Sequence, residues 1–194
     1  MTVDTMALFF GFLTAAANLL TLGLLTSRWT GRLGSELRAL VQPFALPLAA
    51  LIAVVAGLGS LWMSMGGNLA PCRLCWFQRT MMYPLAVILP IAALRRDPGI
   101  RWYGTAVAAL GLTVSAYHYT IEWFPDLEKG SCDIAVPCTL VWFREFGFMS
   151  LAYMAGSAFL AVLVLLQFST AGRRTEPVAQ PDDAPLDRRS APVH

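Results

Sequence analysis

A helix needs about 20 predominantly apolar residues to cross the hydrocarbon core of a bilayer. Five stretches of this chain meet that requirement: 6–26, 44–65, 76–94, 102–124 and 146–168. This constrains the fold more than any other feature, because a backbone in lipid must satisfy its own hydrogen bonds and only helices or closed barrels do so. The third stretch holds Pro84 and Pro90, which a membrane helix tolerates when neighbouring groups take over the freed carbonyls. All six tryptophans (Trp29, Trp62, Trp76, Trp102, Trp123 and Trp142) fall near the ends of these stretches. Amphipathic indoles settle at that headgroup level. Composition agrees: 13% of the 194 residues are charged, against about 25% in soluble domains.

The expected fold is therefore an all-α membrane protein, a four-helix transmembrane bundle with one extra N-terminal transmembrane helix. Three parts are expected: residues 1–42, holding the extra helix and a cytoplasmic loop; the bundle at 43–171; and a tail at 172–194. The tail is rich in Pro, Ala and charges without apolar period, a composition that cannot bury a core and reads as disordered. No internal repeat is visible.

Orientation follows from Arg and Lys near the span ends. One side carries Arg28, Arg32, Arg38, Arg95, Arg96, Arg101, Arg173 and Arg174, and the other carries Arg73, Arg79, Lys129 and Arg144. The richer side is expected in the cytoplasm, with the N-terminus outside and the C-terminus inside. The first stretch is preceded by Asp4 and followed by three Arg, the reverse of a signal peptide's charge order, so it reads as a retained helix. The scattered basic residues form no nucleic-acid footprint.

In this orientation all four cysteines face the exterior, where disulfides persist. Cys72 and Cys75 stand in PCRLCWFQR at the mouth of the third span, and Cys132 and Cys138 in the loop between spans four and five. Two structural disulfides, a four-thiolate zinc site and a dithiol–disulfide relay are the readings these pairs allow. Zinc favours closer spacing than Cys132 to Cys138. Haem attachment needs His after the second cysteine, where this chain has Trp76.

The neighbours favour the relay. Cys75 is expected to open a helix, whose N-terminus stabilises a thiolate. Arg79 lies four residues on, on the same face, and its guanidinium stays charged; the bland alternative is a snorkelling side chain. In AYHYTIEW, His118 and Glu122 share a helix face near the outer end of the fourth span. Ionisable groups inside a span are costly and usually partnered, so a Glu122–Arg79 ion pair across the bundle is one reading, either functional or a fastener of the third and fourth spans, and His118 reads as a proton donor or a core hydrogen-bonding residue.

PCRLCWFQR with its span, AYHYTIEW, the loop CDIAVPC and WFREFGFMSL together closely resemble the disulfide bond formation protein B family, in its short-loop branch of quinone-coupled thiol oxidases. The resemblance covers about residues 44–168. CxxC alone is a weak signal, whereas CxxC-xxx-Arg at a helix mouth with an outer-loop pair one hairpin later is a strong one. The order of elements separates the chain from vitamin K epoxide reductase-like proteins, in which the loop pair precedes the CxxC.

The resemblance implies an inner-membrane four-helix bundle that reoxidises an extracytoplasmic thioredoxin-fold thiol oxidase and passes the electrons to membrane quinone, ubiquinone or menaquinone. It implies that Cys132 and Cys138 meet the partner, with Cys132 forming the mixed disulfide, and that Cys72 and Cys75 are the membrane-proximal pair. Cys75 would face the quinone with Arg79 beside it, and His118 would stand next to the quinone pocket, with Glu122 close by; no resident metal is implied. The short loop would let Cys132 swing toward Cys72. The span 6–26 lies outside the resemblance. The competing class is a non-enzymatic membrane protein stapled by two permanent disulfides.

Overall fold

The computed structural model describes residues 2–169 except 98, 131 and 134. The expected disordered tail, 172–194, lies outside the described residues. Six α-helices follow one another: α1 (Val3–Thr26), α2 (Gly31–Val41), α3 (Ala45–Met65), α4 (Arg73–Arg95), α5 (Ile100–Trp123) and α6 (Leu151–Phe168). No strand occurs among the described residues, only an isolated bridge between Glu145 and Met149. The all-α membrane architecture expected from the sequence is therefore observed.

Three of the helix starts are capped by the residues just before them. Thr2, Cys72 and Ser150 each precede a helix and accept a backbone N–H three residues on, which satisfies a donor the helix cannot. The helices α1, α4 and α6, and the run Gly31–Met65 that joins α2 to α3 through a short 3-10 turn, are each long and apolar enough to cross a membrane. Helix α5 has 24 residues, but it carries Arg101, His118 and Glu122, which lower its hydropathy. Their burden is shared: Arg101 donates to Gln167 of α6 at 3.0 Å, and His118 and Glu122 are buried in the bundle.

Helices α3, α4, α5 and α6 pack in a ring, each against the next, with α3 closing against α6. Small residues let the backbones approach. Gly104, Ala108, Gly111 and Ser115 form a stripe on α5, and the Phe159 ring of α6 lies directly on Gly111. In lipid, where helices gain little from burying apolar surface against each other, such close van der Waals packing drives association. Leu85, Leu89, Phe159, Val162 and Leu166 fill the centre, while Leu19, Leu58 and Leu94 point outward, as a lipid-facing surface permits.

Helix α1 stands outside this ring and leans on α6. Asn18 donates to the Tyr153 hydroxyl at 3.2 Å, and the Phe12 and Phe146 rings meet edge to face at 5.6 Å. The Phe10 ring lies on Gly59 of α3, so closely that a Cβ there would collide with it.

Two expected boundaries change. The segment 27–42, read as a loop, contains α2, an amphipathic helix whose Leu37 packs on Gly23 of α1. The last span begins at Leu151 rather than 146, because Phe146 and Gly147 have positive φ and fold back through the Glu145–Met149 bridge before Ser150 caps α6.

Candidate active site

Cys132 and Cys138 form a disulfide, and Cys72 and Cys75 are free thiols. Local structure fixes the second pair. Pro71 leads into an extended Cys72, which caps α4, and one turn later Cys75 comes under it, with the two sulfurs 2.6 Å apart. That is well inside ordinary contact and close to bonding distance, so the pair can become a disulfide with little movement.

The helix N-terminus serves Cys72 and not, as expected, Cys75. The Cys75 N–H donates to the Cys72 sulfur at 3.2 Å. The reason is positional, since α4 starts at Arg73 and a cap sits one residue outside its helix. In the dithiol form the hydrogen bond from the Cys75 thiol, followed by the hydrogen bond and charge of His118, outweighs burial and holds the Cys72 thiol far below its usual value, at about 4. A stabilised thiolate makes the reduced pair favourable and its disulfide a stronger oxidant.

His118 joins the two pairs. Its Nε2 is 3.1 Å from the Cys138 carbonyl oxygen and 3.7 Å from the Cys72 sulfur. A carbonyl only accepts, so Nε2 carries the proton and offers it to both. Cys72, Leu74, Ile121 and Cys138 form one buried cluster, with Cys75 and Cys132 packed against it. Cys138 is fully buried, whereas Cys132 is partly exposed. The sulfur and nitrogen atoms of Cys72, Cys75 and His118 lie within 4.8 Å of one another, and the proton on Nε2 leaves that nitrogen a donor to thiolate.

Glu122 lies one turn from His118 on α5. A cavity of about 20 Å³ is lined by both, together with Cys72, Cys75, Trp142 and Ser150. Glu122 Oε2 and His118 Nδ1 are buried without hydrogen-bond partners among the described residues. The Glu122–Arg79 ion pair that the sequence left open does not occur among the described residues, where Arg79 bonds to Ser60 and Ser64. The cation near Glu122 is Arg144, which donates to the Glu122 backbone carbonyl at 3.1 Å and lies 4.0 Å from the centre of the Trp123 ring.

Arg79 points away from His118, toward α3. Its Nε donates to Ser60 Oγ at 2.9 Å, and its Nη2 donates to the Ser60 carbonyl at 2.9 Å and to Ser64 Oγ. Its guanidinium carbon is 5.1 Å from the Trp76 ring centre. Three of the five guanidinium donors are thus used, and the two on Nη1 have no hydrogen-bond acceptor among the described residues. Arg79 and Cys75, with Ser60, Ser64 and Gln78, line one end of a 410 Å³ groove between α1, α3, α4 and α6, whose other walls are apolar apart from Thr14.

The structure therefore divides the expected site residues. Cys72, Cys75, His118 and Glu122 meet at the small cavity, Arg79 lies on the groove, and Cys75 lines both. Sequence reasoning missed Ser60 and Ser64, whose signal was two serines four residues apart in an apolar span. It also missed Ser150 and Arg144, whose loop positions gave no register relative to α5.

The family model for disulfide bond formation protein DsbB matches residues 42–172. The "Probable disulfide formation protein" of Oceanobacillus iheyensis is 41% identical over 115 residues, covering 58% of this chain and 79% of the relative. The "Probable disulfide formation protein C 2" of Bacillus anthracis is 37% identical over 135 residues, 70% of this chain and 96% of the relative. The "Disulfide bond formation protein C" of Bacillus subtilis is 34% identical over 117 residues, 60% of this chain and 85% of the relative. No solved structure matches the chain. The family model spans all four ring helices and both cysteine pairs, and the chain belongs to the DsbB family of disulfide bond formation proteins.

Proposed function

We propose that this membrane protein reoxidises an extracytoplasmic thioredoxin-fold thiol oxidase and delivers the electrons to membrane quinone. The observation that carries the reading is the placement of Cys75. It belongs to the thiol cluster organised by His118, and it also opens onto an apolar groove whose polar end is Arg79. The residues suit a quinone there, because its carbonyl oxygens accept and the two Nη1 donors of Arg79 meet no acceptor among the described residues.

The thiol chemistry follows from exposure. A thiolate of the reduced partner attacks Cys132, the accessible member of the loop disulfide, and releases Cys138 as thiolate. The partner's second thiol displaces Cys132, so the partner leaves oxidised and the loop pair is reduced. With Cys72 and Cys75 joined as a disulfide, Cys138 attacks Cys72 and Cys75 departs as thiolate. Cys132 then displaces Cys72 from Cys138, restoring the loop disulfide. The geometry favours Cys138 for this step over the swing of Cys132 toward Cys72 expected from sequence, since His118 already bridges Cys138 and Cys72. The low titration of Cys72 makes it a good leaving group in that last displacement. A bound quinone, ubiquinone or menaquinone, supplies the acceptor for two electrons and two protons. The chain's own part is to hold Cys75 at the groove, to present Arg79, and to keep His118 and Glu122 near the departing protons.

Anaerobic mixing of the purified protein with a reduced thioredoxin-fold oxidase and a soluble quinone tests the reaction. Quinone absorbance should fall at a rate proportional to the amount of this protein. No acceleration over the mixture without it would leave only two loop staples. The orientation, with both cysteine loops outside the cytoplasmic membrane, rests on the Arg and Lys bias. A membrane-impermeant thiol reagent should label all four cysteines in intact, reduced cells. Protection until the membrane is opened would reverse the topology.

A further inference from the structure

Helix α1 precedes the residues matched by the family model, so the family's activity assigns it no task. It does not simply pad the bundle. It leans on α6 and approaches α3 through Phe10 on Gly59, leaving the 410 Å³ groove between them. Phe10, Leu13, Thr14, Ala17 and Leu20 form its α1 wall. From Phe10 to Leu20 the wall rises about 15 Å along the helix axis.

We infer that α1 is the outer wall of a channel for the isoprenoid tail of a long-chain quinone, and that it sets this protein's preference for tailed over tail-less quinones. The inference rests on the proposed quinone reaction and extends it to a helix that the thiol chemistry does not use. The groove is amphiphilic along its length. A cation with two donors that meet no acceptor among the described residues and a thiol stand at one end, and Leu20, Leu48, Ile52 and Val55 continue it away from that end. A ligand with a carbonyl-bearing ring and a long hydrocarbon tail matches that distribution. Phe10 closes the α1–α3 gap beside Ser60, the residue that holds Arg79, so the wall begins where the ring would sit.

The test compares dissociation constants of the purified full chain for a tail-less benzoquinone and for the same ring carrying a long isoprenoid tail, read from quenching of native tryptophan fluorescence. Ala17→Phe narrows the groove, and Leu19→Phe, on the outward face of α1 where Leu19 is 72% exposed, is the control. Wild type should bind the tailed quinone about tenfold or more tightly than the tail-less one, because burying each added methylene favours binding. Ala17→Phe should bring that ratio close to one, while Leu19→Phe should keep it. If Ala17→Phe does not fold, Ala16→Phe at the groove's lip carries the same expectation. A ratio unchanged by the groove variants overturns the inference while leaving the quinone reaction standing. So does loss of co-purified phospholipid in those variants with the quinone ratio intact, since an acyl chain would then be the occupant. Binding of neither quinone to wild type removes the reaction itself, and the inference with it.

Discussion

On its α5 side, the start of α4 borders a cavity of about 20 Å³ containing a histidine and a carboxylate; on its α1 and α3 side it borders a groove of 410 Å³ with one cation, a few neutral polar side chains and predominantly apolar walls. Thiol exchange needs acid–base groups and little space, whereas a lipid-soluble acceptor needs space and few polar groups. Placing them on opposite sides of one helix keeps His118 and Glu122 out of the groove. It also leaves a single sulfur, that of Cys75, on both sides. Under the proposed reaction, the comparison teaches that side-chain placement along α4 would set the direction of electron flow before any motion.

Cys75→Ser should break the comparison outright. It removes the one cysteine that lines the groove among the described residues, so quinone reduction should fall to background. The Cys132–Cys138 disulfide should still exchange with a reduced thioredoxin-fold protein, read by gel shift after thiol alkylation.

Arg79→Ala acts on the groove side alone. Loss of a charge-assisted contact in a partly buried site costs about 1.5–3 kcal/mol, or roughly ten- to a hundredfold in the quinone step. Kinetics against quinone concentration should show that loss, and Arg79→Lys should fall between, since it keeps charge without the planar fork. Unaltered kinetics in Arg79→Ala would make Arg79 a fastener of α4 to Ser60 and Ser64.

His118→Phe acts on the other side. In the reduced protein Cys72 titrates at about 4, so its alkylation rate should be flat from neutral pH downward and fall only near pH 4. Without His118 the Cys75 hydrogen bond remains, but the midpoint should rise. The rate below the new midpoint drops about tenfold for each pH unit of the rise. The sign for stability follows the same shift: because the folded value is depressed, the Cys72 contribution in the reduced protein is full above the ordinary thiol range and is lost as pH falls through about 4. An unmoved profile would leave His118 a bridge between loops and nothing more.

The smallest effect is expected at Trp76, whose ring lies 5.1 Å from the Arg79 guanidinium carbon. A partly exposed cation–π contact is worth about 0.5–1 kcal/mol, so Trp76→Leu should weaken quinone use by only about two- to fivefold. A loss as large as that of Arg79→Ala would mean that Trp76 itself contacts the acceptor.

The spans were legible in the sequence, because hydropathy and Trp placement are local signals, and the CxxC-xxx-Arg spacing singled out the residues that line the cavity and the groove. What was not legible was which side of α4 each group faces. Arg79 and Glu122 lie at similar depth, and nothing local tells that Ser60 and Ser64 capture the first while Arg144 and Ser150 approach the second. Nor did the sequence reading separate cap from first turn, a one-residue difference that moves the helix N–H from Cys75 to Cys72. Helix α2 was hidden for another reason: its Arg residues suggested a loop, although Leu33, Leu37 and Val41 recur at four-residue spacing.

The central claim is that electrons leave the loop pair only through Cys72 and Cys75 and exit at the groove. It is tested most directly by counting quinol formed when the fully reduced protein, free of other reductant, is mixed anaerobically with excess soluble quinone. Each dithiol yields two electrons on becoming a disulfide, so wild type should form about two quinols per chain. The double variant Cys132→Ser, Cys138→Ser should form about one, and Cys75→Ser none. Quinol formed by Cys75→Ser, or two equivalents from the double variant, would contradict the account.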